Sequence, residues 1–274
     1  MNNIFKYKII SKEIAITGLQ KGVATTSIVI PETIDGMPVV EIGPEAFSFT
    51  SIMDIKIGKN IREIREKAFY MCKKLRSVTW NQKCDVVPAF CFSECSNLTK
   101  FDFSNVKKIG LYAFYKSGLQ EVCLQKNIKV LEEGTFSGCS KLQSVTWHCQ
   151  CDMIPTFCFD KCSNLTQFDF SGIKKIGQYV FYKSGLQEVY LTEKIEILDK
   201  GTFSGCSKLQ SVTWHCQCDV IPADCFFGCS NLMQFDFSGV KKIEARAFMG
   251  SGLTSVTLNK KMKLIKTVLL IATI

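Results

Sequence analysis

Two short runs carry the side chains of a thiol or metal site: His148-Cys149-Gln150-Cys151 and His215-Cys216-Gln217-Cys218. Zinc requires four such ligands at about 2.0–2.3 Å from one ion. The runs lie 67 residues apart. Within each, alternation along an extended chain turns the second cysteine inward and the histidine, which follows a tryptophan, outward. The matching earlier segment, Asn81-Gln82-Lys83-Cys84, has neither a histidine nor a second cysteine. The ligands do not converge, so no metal is expected. Acid–base chemistry is as poorly supplied, because the two runs hold both histidines of the chain. Asp102, Asp169 and Asp236 form a column of one carboxylate per 67 residues, too sparse for a glycosidase pair. No phosphate loop, H-E-x-x-H, G-x-S-x-G or C-x-x-C is present. No catalytic residue and no cofactor are expected.

What positions these residues is a repeat. Phenylalanine recurs as Phe47, Phe69, Phe92, Phe114, Phe136, Phe159, Phe181, Phe203, Phe226 and Phe248, at spacings of 22 or 23. Three such coils make a super-repeat of 67 residues, and residues 134–152 and 201–219 are identical over 19 positions. Aligned coils share the order F, L-x-x-V-x-L, I-x-x-I. In the second coil type these are Phe136, Leu142, Val145, Trp147, Cys151 and Ile154; in the third, Phe159, Leu165, Phe168, Phe170, Ile173 and Ile176.

The V-x-L alternation has period two, so it reads as a short strand with one apolar face. One strand cannot bury that face alone. Stacking coil on coil pairs the strands in parallel at about 4.8 Å and closes a continuous core. The fold class expected is an α/β repeat. It is a leucine-rich-repeat solenoid of about ten coils with a narrow parallel sheet and short turns or 3-10 pieces around each phenylalanine. Residues 1–46 read as an N-terminal cap, 47–265 as the solenoid, and 266–274 as an apolar tail or improvised cap that could support end-to-end self-association.

The motif Ala68-Phe69-x-x-Cys72-x-x-Leu75-x-x-Val78-x-Trp80 resembles one class, the BspA-like leucine-rich repeats of surface antigens. The opening segment is similar to that family as well: Ile14-Ala15-Ile16-Thr17-Gly18, then Ile30-Pro31-Glu32-Thr33-Ile34-Asp35-Gly36-Met37-Pro38-Val39, then Ile42-Gly43. The resemblance covers roughly residues 10–265. It implies protein binding and adhesion, with some members at the cell surface, and it supplies no catalytic residues.

Cys72, Cys95, Cys139, Cys162, Cys206 and Cys229 each follow an anchor phenylalanine by three residues. Cys84, Cys151 and Cys218 replace an apolar residue of other coils, and Cys91, Cys158 and Cys225 fill a further core slot. Twelve of fifteen cysteines thus read as reduced core residues, small hydrophobes in effect. The net charge of +9 includes an in-phase column, Lys107-Lys108, Lys174-Lys175 and Lys241-Lys242. It offers weak polyanion binding as a further alternative. Nucleic acid is not the expected partner, because the aromatic rings fall mostly at core positions and cannot stack on bases.

The outward strand positions are the candidate partner-binding face: Glu121, Cys123, Ser144, Thr146, Gln167, Asp169, Glu188, Tyr190, Ser211, Thr213, Gln234 and Asp236. The function expected is a non-enzymatic scaffold binding an unknown protein there, with a cell-surface or exported adhesin as the alternative. No apolar stretch long enough to span a bilayer occurs, and the first residues lack the pattern of a secretory signal. The expected location is cytoplasmic, with the surface implied by the family resemblance.

Overall fold

The structure, a computed structural model, describes residues 4–254 and the backbone of 263–264. It forms two compact units, Met1–Cys139 and Ser140–Ile274. Each is a β-solenoid built on five of the anchor phenylalanines. The expected tail at 266–274 lies outside the described residues.

Among the described residues there is no helix, which corrects the α/β label and the allowance for 3-10 pieces. The reason lies in the turn around each phenylalanine. The residues two before and two after it have positive φ in every coil, from Glu45 (56°) and Phe49 (61°) to Arg246 (58°) and Gly250 (69°). A left-handed residue at every fourth position prevents a helical turn from propagating. It also lets the N–H groups alternate between two kinds of acceptor. Ala46, Ser48 and Thr50 donate to the carbonyl three residues back, whereas Glu45, Phe47 and Phe49 donate to Glu66, Ala68 and Tyr70 of the next coil. The same alternation recurs in the second unit, where Phe157, Phe159 and Lys161 donate to Gln178, Val180 and Tyr182. Each buried amide of the turn thus finds an acceptor without regular secondary structure.

In the first unit Phe5–Ile10 pairs antiparallel with Glu13–Leu19, which pairs parallel with Met37–Ile42. Coil-type parallel pairing then begins. Ser27–Val29, Asp54–Lys56 and Ser77–Thr79 form one sheet from the V-x-L segments. The I-x-x-I segments form another, with Val86–Val87, Lys108–Ile109 and Val130–Leu131 in register. The single narrow sheet expected is therefore several short sheets of two kinds, one from the V-x-L segments and one from the I-x-x-I segments. In the second unit Glu188–Leu191 pairs with Ser211–Trp214. Met153–Ile154, Lys175–Ile176 and Ile197–Leu198 form the companion sheet.

The V-x-L sheet is also interrupted. In the third coil type the F-D-F segment is not a strand at 165–170 or 232–237. Asp169 Oδ1 accepts from the Ser171 N–H at 2.9 Å, and Asp236 does the same with Ser238. This local aspartate turn competes with the ladder for the backbone.

The core is a file of phenyl rings. Phe47, Phe69, Phe92, Phe114 and Phe136 stack with centroids 5.3–5.8 Å apart. Phe159, Phe181, Phe203, Phe226 and Phe248 stack at 5.2–5.8 Å. These separations suit offset stacking and match the coil rise, so one ring per coil fills the interior.

Beside the rings runs a file of small donors at the third residue after each phenylalanine. The sequence reading treated its cysteines as hydrophobes, but the thiols also serve as hydrogen-bond donors. Cys72 donates to the Phe47 carbonyl at 3.0 Å, Cys95 to Phe69 at 3.1 Å, Cys206 to Phe181 at 3.0 Å and Cys229 to Phe203 at 3.1 Å. Coils that lack cysteine at this position place Thr50, Ser117, Ser184 or Ser251 there. Each of these carbonyls also accepts from an N–H of its own turn, as Phe181 does from Ser184 at 2.9 Å, so the thiol adds a second bond from the next coil, whereas the Ser117 and Ser184 hydroxyls lie 3.3 Å from the Cys139 and Cys206 sulfurs.

Candidate functional site

Eleven of the twelve outward positions are exposed, and Thr213 is half-buried. In the first unit Glu121 and Cys123 project from Glu121–Leu124, whose Val122 and Leu124 are buried. The Cys123 sulfur accepts from the Gln125 amide at 3.0 Å.

The second unit carries the richer surface. Parallel register sets Glu188 beside Ser211 and Tyr190 beside Thr213. Tyr190 is 53% exposed, and its ring meets the His215 ring edge-on at 5.6 Å, with the hydroxyl 3.3 Å from Nδ1. The next coil supplies Gln234 and Asp236 from an irregular segment rather than a strand. Between the strand and that segment lies an open cavity of about 670 Å³, lined by Gln210, Ser211, Val212, Met233, Gln234 and Phe235, among others. The bulky F-D-F segment and its aspartate turn hold the backbones out of pairing, which leaves this hollow.

Met233, 63% exposed at the cavity, is absent from the sequence reading of the face. Its signal was visible, because Asn231-Leu232-Met233 replaces the Asn-Leu-Thr of residues 97–99 and 164–166. A thioether at one copy only marks a place where the repeats diverge.

Several core assignments need correction. Cys151 and Cys218 are half-buried rather than inward-facing core residues, and Cys149 and Cys216 are half-buried beside them. Val145, Trp147 and Phe168 are also half-buried. The tryptophans are held at the coil margin by a polar bond. The Nε1–H of Trp147 donates to the Cys151 carbonyl and that of Trp214 to the Cys218 carbonyl, both at 3.0 Å. A buried indole N–H needs such a partner, which draws the ring toward the surface turn. The remaining ten cysteines are buried. Burial pushes the Cys84 and Cys206 thiols up to about 12. Among the described residues no three His, Cys, Asp or Glu side chains gather as a metal site would require.

The lysine column is largely neutralised. Lys107 pairs with Asp85 at 3.0 Å, Lys108 with Glu132 at 2.7 Å, Lys241 with Asp219 at 2.9 Å and Lys242 with Glu244 at 2.8 Å. A column of ion pairs attracts a polyanion far less than bare lysines would. No helix among the described residues is long and apolar enough to cross a membrane.

Comparison with known proteins agrees with this architecture. A family model described as a BspA type leucine rich repeat region matches residues 18–143, 97–210 and 152–270. No curated protein matches the chain. Among solved structures, a leucine-rich repeat protein from Bacteroides ovatus is 21% identical with a TM-score of 0.58, covering 96% of this chain and 89% of that one. The T. pallidum leucine rich repeat protein is 27% identical with a TM-score of 0.59, covering 66% of this chain and 87% of its own. A leucine rich cell surface protein from Faecalibacterium prausnitzii is 20% identical with a TM-score of 0.57, over 91% and 85% of the two chains. Matched over most of its length and built of the same phenylalanine-anchored coils, the chain belongs to the BspA-type leucine-rich repeat family.

Proposed function

We propose that the chain is a non-enzymatic binding protein that engages a protein partner through the outward positions of its V-x-L segments. The observation that carries this reading is the surface of the second unit. There Ser211, Gln234 and the exposed Met233 line an open hollow, and the paired strand sets Glu188 and the exposed Tyr190 beside Ser211 and Thr213. Tyrosine and methionine are enriched in protein interfaces, tyrosine because it covers a large area at low entropic cost and methionine because its flexible thioether adapts to irregular surfaces. Membership of a repeat family that works as a scaffold supports the same conclusion.

Exposure at the cell surface is the second reading, and it is favoured over a cytoplasmic site by the Faecalibacterium relative, described as a cell surface protein. The thiol-rich core is compatible with it. Ten cysteines are buried, out of reach of oxidants that act on exposed thiolates.

The test begins with proximity labelling in the native cell to identify the partner, followed by affinity measurement with Glu188→Ala, Tyr190→Ala and Gln234→Ala combined. Asp169 and Asp236 are left intact, because each holds its own turn. A loss of about thirtyfold or more is expected if one hot spot of about 2 kcal/mol is removed. Unchanged affinity rejects the face. Biotinylation of intact cells decides the location, since only a surface protein is labelled before lysis.

A further inference from the structure

Four cysteines differ from the buried set. Cys149 and Cys151, and again Cys216 and Cys218, are half-buried and two residues apart. In each pair the chain bends between the two sulfurs, at Cys149–Gln150 and Cys216–Gln217. Fully extended, residues two apart span about 6.6–7.2 Å, at the upper limit of the Cα separation that a disulfide tolerates. A bend brings them inside it.

The turn is fixed at its far end. The indole N–H of Trp147 or Trp214 holds the carbonyl of the second cysteine. In the second copy the Gln217 N–H also donates to the Ile195 carbonyl at 3.0 Å. In each pair the two thiols perturb one another, and the Cys218 thiol also faces the Ile195 carbonyl at 3.8 Å. The neighbouring Cys218 lowers the Cys216 thiol below its ordinary value, while Cys216 and burial raise Cys218. His215 is turned toward Tyr190, so the dithiol stands without it. The equivalent turn of the first super-repeat has Trp80 and Cys84 but no second sulfur.

We propose that Cys149/Cys151 and Cys216/Cys218 are reversible dithiol–disulfide sites, each closing a disulfide within its own coil by exchange with a small-molecule disulfide such as oxidised glutathione. The Cys216 thiolate attacks one sulfur of the reagent, its S–S bond breaks and one thiolate leaves. Cys218 loses its proton to solvent and attacks the Cys216 sulfur of the mixed disulfide, expelling the second thiolate. The two cysteines are oxidised by two electrons, and one reagent disulfide becomes two thiols. In the Cys149/Cys151 pair Cys149 is the raised thiol, so the roles are exchanged: Cys151 attacks the reagent and Cys149 closes the ring. The two pairs close separately, because three coils at about 4.8 Å set them roughly 14 Å apart.

The site lies immediately after the outward strand Ser211–Trp214. Closing the ring therefore acts on His215, Tyr190 and the indole. Trp147 and Trp214 report the event, since a neighbouring disulfide quenches indole emission.

The experiment uses the full chain, reduced, freed of reductant and equilibrated across a glutathione redox series, then trapped with an alkylating agent and mapped by mass spectrometry. Expected is the loss of two hydrogens from the peptide holding Cys149 and Cys151 and from that holding Cys216 and Cys218. Tryptophan emission falls together with these losses and recovers with excess reductant. Cys123, exposed and with no second cysteine two residues away in the chain, takes a glutathione adduct instead, and Cys84 stays reduced. Cys149→Ser and Cys218→Ser convert the lost mass into glutathione adducts on Cys151 and Cys216. The proposal is overturned if both peptides remain doubly alkylated at redox ratios that fully modify Cys123. It is equally overturned if Cys72 or Cys95 oxidises first. Because the assay on the parent chain is decisive, poor folding of either variant leaves the result intact.

Discussion

Replacing Gly201 by alanine isolates the device that makes these turns. Gly201 lies two residues before Phe203 with φ at 66°, and an added Cβ would come within 2.1 Å of Tyr179 Cε1. Holding an L-residue in the left-handed region costs about 1–2 kcal/mol. The Tyr179 ring must also move off its stack on Phe157, where the centroids are 5.7 Å apart at 9°. Losing such a pair costs about 0.5–1.5 kcal/mol. Gly201→Ala should therefore destabilise the fold by about 2–3 kcal/mol, read as a shift in urea midpoint at constant slope with circular dichroism and tryptophan emission coincident. On a Tyr179→Ala background the steric part vanishes, and the same substitution should cost only about 1–2 kcal/mol, the backbone share. Lys161→Gly, at φ 57° two residues after Phe159, where the Phe203 coil has Gly205, should be neutral or stabilising by up to about 1 kcal/mol, the reverse of the usual glycine effect. The reasoning fails if Gly201→Ala stays within about 0.5 kcal/mol of the parent, or costs the same on both backgrounds.

The donor file makes a second prediction. Cys206→Ser should change stability by less than about 0.5 kcal/mol, because Ser184 already fills the same position one coil earlier, whereas Cys206→Val removes the side-chain donor and leaves the Phe181 carbonyl only the Ser184 N–H, and should cost about 0.5–1.5 kcal/mol in the same urea assay. A third concerns alkaline pH. Burial raises the folded-state Cys84 and Cys206 thiols from 9.0 to about 12, so above pH 9 the unfolded chain releases protons that the folded chain retains. Their contribution is whole below about pH 9 and is lost as pH climbs toward 12, at about 1.4 kcal/mol per pH unit for each thiol. Urea midpoints at pH 8, 9.5 and 10.5 should fall steadily, and less steeply in Cys206→Ser.

The parts of the fold legible in the sequence were those that repeat apolar bulk. A phenylalanine every 22 or 23 residues has one low-energy use, a stack of rings, and the period-two V-x-L segments could only be strands beside it. What escaped was whatever depends on the sign of φ. At the positions flanking Phe47 and Phe69 the left-handed residues are Glu45, Phe49, Lys67 and Met71, none of which advertises that conformation. Only in coils such as Gly134 and Gly138, or Gly201 and Gly205, does the sequence show glycine where the backbone needs it. Tertiary hydrogen bonds from the next coil impose the geometry, so local propensity carries little of the signal. The same holds for Asp169, which was read as an outward strand residue. Its spacing fits a strand, but its side chain bonds the backbone two residues on and ends the ladder.

That failure bears on where selectivity resides. A solenoid whose copies are identical presents the same chemistry at each step, which by itself favours no single partner. The differences that do occur fall on the surface: Met233 where the other copies have threonine, and Tyr190 where the matching coil has Cys123. Substitution at these points leaves the phenylalanine file and the donor file untouched, since neither side chain enters the core. Stability and recognition are thus carried by separate residues of the same coil. Tyr190 also touches His215, which begins the turn holding Cys216 and Cys218. Variation of the outward side chains can therefore alter what is bound at little energetic cost to the coil, while closure of the dithiol could act on the same edge without rearranging the stack.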